Sequence, residues 1–173
     1  FNSIRWKPSG DSFSYINHNP YQDKDKHLYL KDIEDLKKEE ILTSGEYRFD
    51  YINSQNRPGY AWSPDGNKIA FILRSEYDIN LRLKIYDLIK KEIISVSENA
   101  PGQIVEWSPD GKSLLLYGWQ NKYYIMNTDG TNITFLFDDS VSPKFEEYIY
   151  PIVYWFNNPD YLYLYIYDLP SYS

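Results

Sequence analysis

The stretch Trp62-Ser63-Pro64-Asp65-Gly66 recurs as Trp107-Ser108-Pro109-Asp110-Gly111. A near copy reads Trp6-Lys7-Pro8-Ser9-Gly10, and a degenerate copy reads Trp155-Phe156-Asn157-Asn158-Pro159-Asp160. The four tryptophans follow one another at intervals of about 45 to 56 residues, near the roughly 40 to 50 residues of a four-stranded propeller blade. This period predicts a repeat fold in which each unit packs against its neighbours.

Two apolar or aromatic residues follow each tryptophan at a fixed distance. Seven residues on lie Phe13, Ile69, Leu114 and Leu162, and nine residues on lie Tyr15, Phe71, Leu116 and Leu164. Because strand side chains alternate between faces, both positions share one face of a strand. We therefore expect the second strand of every unit to bury the same side, and a slip of one residue would expose it.

The Pro-Asp-Gly turn has an explanation in backbone chemistry. Proline presets φ at the first corner, aspartate accepts hydrogen bonds from the amides just beyond it, and glycine takes a positive φ. Since Asp65 and Asp110 recur in the same turn, we interpret them as structural, and a catalytic carboxylate is the alternative. The residues to which we assign a structural role in the repeat are Trp6, Trp62, Pro64, Asp65, Gly66, Trp107, Pro109, Asp110, Gly111 and Trp155.

The second and third repeats resemble a known family. The Trp62 motif is followed by Asn67-Lys68-Ile69-Ala70-Phe71 and later by Ile85-Tyr86-Asp87-Leu88, which is similar to the WD-like Pro-Asp repeat of TolB-type β-propellers. The segment 124–132 resembles the strand and Asp-Gly-Thr hairpin of that repeat, whereas the fourth copy departs from the pattern. The resemblance implies an all-β fold, a β-propeller of four-stranded antiparallel blades. The same repeat occurs in periplasmic scaffold proteins, peptidase propellers and sugar-active enzymes.

The repeats predict one domain over residues 1–173, with units at about 1–57, 58–100, 101–141 and 142–173. About three and a half blades are present, because the last unit holds only two predicted strands. We expect an excised fragment of a larger propeller; the alternatives are that two copies complete each other through open edges, or that the last unit has diverged. The charged segment Lys31–Glu40 suits a short helix or a hairpin, and the repeat register favours the hairpin.

Composition excludes several classes of function. The net charge is −7, with 18 basic against 25 acidic residues, which argues against nucleic-acid binding. No apolar run approaches the roughly 20 residues that cross a bilayer, so we expect no membrane span. The chain has no cysteine, no Gly-x-Ser-x-Gly elbow and no phosphate-binding glycine loop. We therefore predict no catalytic residues and no cofactor.

Loops at the blade ends are the first candidates for binding. The excursion 18–26 carries His18 and Tyr21 and ends before His27. Asp23, Asp25 and His27 stand at alternate positions and would suit a divalent cation, but alternating charges favour a solvated loop, so we expect no metal.

Three further candidates lie outside the repeat register. We place Tyr47 and Arg57 at the two ends of an inter-blade loop, and Trp119 follows a predicted strand end. A tryptophan outside the core register suits an interface, with packing under the neighbouring hairpin as the alternative. Residues 161–167 alternate tyrosine with aliphatic residues, so four tyrosines share one strand face, either as a binding surface or packed against a next blade.

The resemblance implies a non-catalytic protein-interaction scaffold with a protein partner, located outside the cytoplasm as a periplasmic or secreted protein. One alternative is the substrate-gating propeller of a prolyl-oligopeptidase-like serine peptidase whose catalytic domain lies elsewhere. Another alternative is a carbohydrate-binding propeller in which the tyrosines and Trp119 stack on sugars.

Overall fold

The computed structural model describes residues 4–17, 27–34, 38–43, 47–49, 59–75, 80–118, 122–138, 152–155 and 157–165. Every regular element in these ranges is a β-strand. The strands are β1 (Arg5–Trp6), β2 (Ser12–Asn17), β3 (His27–Asp32), β4 (Lys38–Thr43), β5 (Tyr47–Phe49), β6 (Tyr60–Trp62), β7 (Lys68–Ser75), β8 (Leu81–Asp87), β9 (Glu92–Ala100), β10 (Gly102–Trp107), β11 (Ser113–Gly118), β12 (Lys122–Asn127), β13 (Thr134–Asp138), β14 (Ile152–Trp155) and β15 (Leu162–Tyr165).

These strands form four successive antiparallel sheets. The first sheet has the order β1-β2-β3-β4 and the third β10-β11-β12-β13, while the fourth pairs β14 with β15. In the second sheet, β7 pairs with both β5 and β6 on one side and is followed by β8 and β9. Strands that are consecutive in the sequence are neighbours in space, as in the blades of a propeller. The described residues thus form the partial all-β propeller that the repeat predicts.

The charged segment at the end of the first unit is a hairpin. Strand β3 ends at Asp32 and β4 begins at Lys38, with Lys31 opposite Lys38 in the ladder. The hairpin prediction is confirmed, and the helical alternative is wrong. Tertiary pairing decides this segment, because its own charge pattern suits both structures.

The loop predicted between Tyr47 and Arg57 starts later than expected. Residues Tyr47–Phe49 form β5, in which Tyr47 pairs with Ser75 of β7. Strand β6 continues along the same edge of β7, and the Ile72 amide donates to the carbonyl oxygen of Gly59 at 2.9 Å. Strands β5 and β6 therefore both pair with β7, and residues 50–58 of the predicted loop lie outside the described residues. A three-residue strand carries too little alternation to be recognised from sequence, and its pairing with β7 defines it.

The hydrophobic core lies between the sheets. Ile69 and Phe71 of β7 are fully buried in a cluster shared with the first sheet, whereas Ile72 is fully buried in a cluster shared with the third. Leu114 and Leu116 of β11 are buried against the second sheet. The predicted face at seven and nine residues after the tryptophan is confirmed in the second and third units.

The first strands of the sheets converge. Strand β10 lies beside both β6 and β14, so neighbouring sheets approach most closely along these strands. The indole Nε1 of Trp107 in β10 donates to the carbonyl oxygen of Ala61 in β6 at 2.9 Å. This arrangement is radial, with the first strand of each sheet nearest the axis.

Candidate functional site

An open cleft of about 460 Å³ lies where the first strands converge. Strands from all four sheets contribute to its wall. The lining residues are Arg5 and Trp6 of β1, Ala61 and Trp62 of β6, Glu106 of β10, and Val153 and Tyr154 of β14. We call this the axial cleft.

One position of the repeat contributes a lining residue from every unit. Arg5, Ala61, Glu106 and Tyr154 each directly precede a repeat tryptophan. The fold brings this position to the axis four times, but the side chains are a cation, a methyl group, a carboxylate and a phenol. The backbone of the cleft is repetitive, and its chemistry is not.

The repeat tryptophans hold the wall of the cleft together. The indole of Trp62 donates to Ser14 Oγ at 2.8 Å, and Ser14 Oγ lies 3.3 Å from the carbonyl oxygen of Arg5, to which it donates. In the next joint the indole of Trp107 reaches the equivalent carbonyl, that of Ala61, directly. The second and third sheets are therefore each tied to the residue before the tryptophan of the preceding sheet, the second through a serine hydroxyl and the third directly.

The joint between the third and fourth sheets is built differently. The carboxylate of Glu106 accepts a hydrogen bond from the backbone amide of Trp155. The indole nitrogen of Trp155 is buried and has no hydrogen-bond partner among the described residues. A side-chain carboxylate thus bridges β10 and β14 where a tryptophan indole bridges the earlier sheets.

Arg5 gives the cleft its positive charge. The side chain is half-buried, and its Nε is shielded from solvent without a hydrogen-bond partner in the described part of the chain. A shielded N–H group without a partner is costly, so it favours a ligand with an acceptor oxygen. The cleft therefore combines a guanidinium donor with aromatic rings and one carboxylate.

The Pro-Asp-Gly turns lie away from the axial cleft. In the second unit, Asp65 Oδ1 accepts from Ser63 Oγ at 2.6 Å and from the amide of Asn67 at 3.1 Å, and Gly66 has φ of 70°. Asp110 makes the equivalent bonds in the third unit, from Ser108 and from the Lys112 amide. These hydrogen bonds account for an aspartate at this point of the repeat.

Hydrogen bonds to the ionised form lower the pKa of these turn carboxyls. For Asp65 the main cause is the Ser63 hydroxyl, opposed by partial burial and helped by the amide of Asn67. For Asp110 the main cause is the Ser108 hydroxyl. A carboxyl that needs to exchange protons near neutral pH has the opposite shift, so this chemistry suits a structural role.

The candidates taken from loops do not meet in the cleft. His18, Tyr21, Arg57 and Trp119 lie outside the described residues, as do Asp23 and Asp25. His27 begins β3 and lies 5.9 Å from the ring of Tyr29, whereas Tyr47 begins β5 in the second sheet. In the described ranges no group of three or more metal-ligating side chains comes together. A membrane-crossing helix is likewise lacking there.

Sequence reasoning missed the residues of the cleft. The recurring spacing marks the tryptophans and the apolar positions that follow them. Arg5, Glu106 and Tyr154 lie one residue earlier, where no apolar pattern recurs. The sequence signal that could have found these residues is their position before each tryptophan, because a fold that repeats a strand also repeats the residue that faces the axis.

Comparisons with solved structures agree with this architecture. The chain matches the putative TolB of Agrobacterium tumefaciens with a TM-score of 0.61 and 14% identity, covering 100% of this chain and 56% of that one. It matches a prolyl endopeptidase with a TM-score of 0.61 and 17% identity, covering 95% and 26%. It matches an oligogalacturonate lyase in complex with manganese with a TM-score of 0.59 and 16% identity, covering 77% and 39%.

These likenesses define the fold. The chain has a TolB-like β-propeller fold, and it spans about half or less of the structures that it matches. No family model and no curated protein matches the sequence. The similar structures include both enzymes and a TolB, so the function is argued from the cleft itself.

Proposed function

We propose that this chain is a non-catalytic protein-interaction module that binds an extended segment of a partner protein in the axial cleft. The observation that carries the proposal is the position before each repeat tryptophan, where the fold repeats and the chemistry differs. Positions that serve only the fold keep one chemical character in successive units, as the apolar or aromatic positions after each tryptophan do. Different side chains at equivalent positions give a binding wall its selectivity.

The chemistry of the wall suits a peptide. Arg5 supplies donors for backbone carbonyl or carboxylate oxygens, and Glu106 supplies a carboxylate to the same wall. Trp6, Trp62 and Tyr154 add aromatic surface, and tryptophan, tyrosine and arginine are the residue types that dominate protein interfaces. A cleft of about 460 Å³ has the size of a site for a short segment.

The same wall supports a role without catalysis. Glu106 is the one carboxylate among the described lining residues, and it already accepts the backbone amide of Trp155. General acid and base catalysis is carried most often by histidine, or by a carboxyl group whose pKa is moved toward the working pH by its neighbours. The described wall offers Glu106 no histidine or second carboxylate as a partner.

A library of random peptides displayed on phage and selected on the 173-residue chain tests the proposal. We expect enriched peptides whose affinity falls at least about tenfold in Arg5→Gln and in Glu106→Gln, because both variants remove charge from the wall. Lys112→Gln is the matched control, since Lys112 lies in an exposed turn. Selection that enriches no peptide, or binding that is indifferent to both cleft variants, would contradict the proposal.

The axial cleft also fits the second candidate, the gating propeller of a serine peptidase. The prolyl endopeptidase match covers 95% of this chain, which favours this alternative over the carbohydrate-binding one. A hydrolase domain encoded in the same reading frame would support it. Together with the scaffold function we propose a location outside the cytoplasm. Fractionation of cells that express the full reading frame tests this location.

A further inference from the structure

The axial cleft holds a cation without a partner. Among the described residues no side chain pairs with the guanidinium of Arg5, and its Nε is shielded from solvent. The other charged residue of the described wall is Glu106, whose carboxylate already accepts the backbone amide of Trp155. The chain as a whole has a net charge of −7, but the charge that this wall leaves without a partner is positive.

The backbone beneath this guanidinium is fixed by the second sheet. Arg5 pairs with Ser14 in the ladder between β1 and β2, and Ser14 is fully buried. The Ser14 hydroxyl donates to the Arg5 carbonyl oxygen at 3.3 Å and accepts the Trp62 indole at 2.8 Å. The Tyr60 hydroxyl donates to the Ser14 carbonyl oxygen at 3.0 Å. Because these bonds hold the Arg5 backbone before any ligand arrives, binding has only the side chain to order.

The wall around Arg5 is built within this chain. In the third unit the side chain before the tryptophan reaches the following sheet, where Glu106 accepts the Trp155 amide. Arg5 occupies the equivalent position and lines the cleft with Ala61 and Trp62 of the sheet that follows its own. A sheet packed on the other side of the first sheet would leave this wall in place. The role of Arg5 therefore does not depend on how many sheets surround the axis.

We propose that Arg5 recognises a carboxylate on the partner, so that the axial cleft selects a segment with an acidic group. The inference rests on the proposed function, because it names the chemistry of the partner for the same cleft. The planar guanidinium can donate two parallel N–H bonds to the two oxygens of a carboxylate, and such charge-assisted pairs are stronger than neutral ones. A backbone carbonyl would accept from the same N–H groups but would leave the positive charge without a counter-charge.

The described wall favours a group with a single negative charge. Arg5 is the one cation among the described lining residues, and Glu106 contributes a negative charge to the same cleft. A phosphate group on a peptide carries about two negative charges at neutral pH, so it would meet one cation and one repelling carboxylate. A carboxylate is compensated by Arg5 alone. It comes either from an acidic side chain of the partner or from its C-terminus.

Arrays of short random peptides, incubated with the protein expressed from its full reading frame, test the inference. One set carries a single Asp or Glu and an amidated C-terminus, a second has Asn or Gln instead, and a third has the neutral sequences with a free C-terminal carboxylate. We expect one or both carboxylate-bearing sets to bind at least about tenfold more tightly than the neutral amidated set. Preference for the first set identifies an acidic side chain as the source, and preference for the third identifies a chain end.

Substitutions of Arg5 separate carboxylate recognition from peptide binding in general. Arg5→Gln should bind the acidic and the neutral peptides within about twofold of each other, because the counter-charge is gone. Arg5→Lys keeps the charge without the planar fork and should retain part of the preference. Lys7→Gln is the matched control and should leave the preference unchanged. It removes the same charge from a side chain that pairs with Asp11 in the first turn and does not line the cleft.

The possible failures are distinguishable. If all sets bound equally, and Glu106→Gln weakened them while Arg5→Gln did not, peptide binding in the cleft would stand and the carboxylate inference would be overturned. If no set bound, the proposed function and this inference would both fail. A preference for carboxylates that survived in Arg5→Gln would place the anion site elsewhere and would also overturn the inference. Far-UV circular dichroism verifies that every variant is folded, and Arg5→Met replaces Arg5→Gln if the latter is unfolded.

Discussion

The first and second sheets are built from the same repeat, but their surroundings differ. The second sheet is covered on both sides, and Ile69, Phe71 and Ile72 are fully buried as a result. Among the described residues the first sheet is covered on one side, where Ile16 and Leu28 pack against the second sheet, whereas on its other side Trp6 is 60% exposed. The repeat therefore sets the shape of a blade, and the neighbouring blades supply most of its burial.

This difference indicates that most of the stability of this chain comes from the interfaces between neighbouring sheets. In repeat architectures each unit contacts only its neighbours, so the stability is close to a sum over units and interfaces. The same substitution should therefore cost more in a face that is covered than in one that is open.

The largest difference is expected between Phe71→Ala and Phe13→Ala. Phe71 is fully buried between two sheets, so its truncation should cost about 3 to 5 kcal/mol of unfolding free energy. Phe13 is half-buried on the side of the first sheet that no other described sheet covers, so its truncation should cost about 1 kcal/mol. Urea denaturation followed by far-UV circular dichroism measures both. Equal losses of unfolding free energy in the two variants would mean that the interfaces between sheets do not dominate stability.

A smaller difference is expected between Gly130→Ala and Gly10→Ala. Both glycines have positive φ, so both variants carry a similar backbone strain of about 1 kcal/mol. A Cβ on Gly130 would also lie 2.4 Å from the carbonyl oxygen of Val96 in the second sheet, whereas one on Gly10 would have no atom of the described residues within 4 Å. We expect Gly130→Ala to cost about 2 kcal/mol or more, measured by the same denaturation. Similar midpoints for the two variants would contradict the close approach of these sheets.

The sequence predicts best those parts of the fold that recur at every interface between neighbouring sheets. The buried faces at Ile69 and Leu114 recur because each sheet must meet a near-identical neighbour, and spacing alone reveals such a requirement. Strand β5 was not foreseen, because Tyr47–Phe49 is defined by pairing with β7 and not by its own pattern. The cleft was not foreseen either, since Arg5 and Glu106 share a position and no chemistry.

The indole links offer a test of intermediate size. Ser14→Ala removes the hydroxyl that accepts from Trp62, so a buried indole N–H loses its partner, at a cost of about 1 to 2 kcal/mol. Ser14→Ala should cost less unfolding free energy when it is made in the Trp62→Phe variant, because that variant has no indole N–H that needs an acceptor. A double-mutant cycle by urea denaturation measures this coupling. The third sheet is the comparison, since Trp107 bonds a backbone carbonyl that substitution does not remove. Additive effects would exclude the serine-mediated link.

The smallest effect is expected in the turns. The aspartates of regular turns have lowered pKa values, so Asp65 stays ionised in the folded chain below its ordinary pKa of 3.8. Its contribution is therefore fully present above that pH and is lost as the pH falls through the lower folded pKa. The fourth turn places Asn158 at the equivalent position, where its Oδ1 accepts the Asp160 amide at 2.9 Å without a charge.

Exchanging the side chains of Asp65 and Asn158 separates the effect of the charge on stability from the effect of the hydrogen-bond geometry. Asp65→Asn should keep the turn, cost no more than about 1 kcal/mol at neutral pH, and flatten the fall in stability as the pH drops below the ordinary carboxyl pKa of 3.8. Asn158→Asp is the reciprocal variant and should steepen that fall, because it adds an ionisable acceptor where a neutral one serves. Urea midpoints measured across this pH range give both slopes. If stability fell equally steeply with acid pH in Asp65→Asn and in the unaltered chain, the Asp65 carboxylate would serve the hydrogen-bond geometry of the turn and would add no charge-dependent stability.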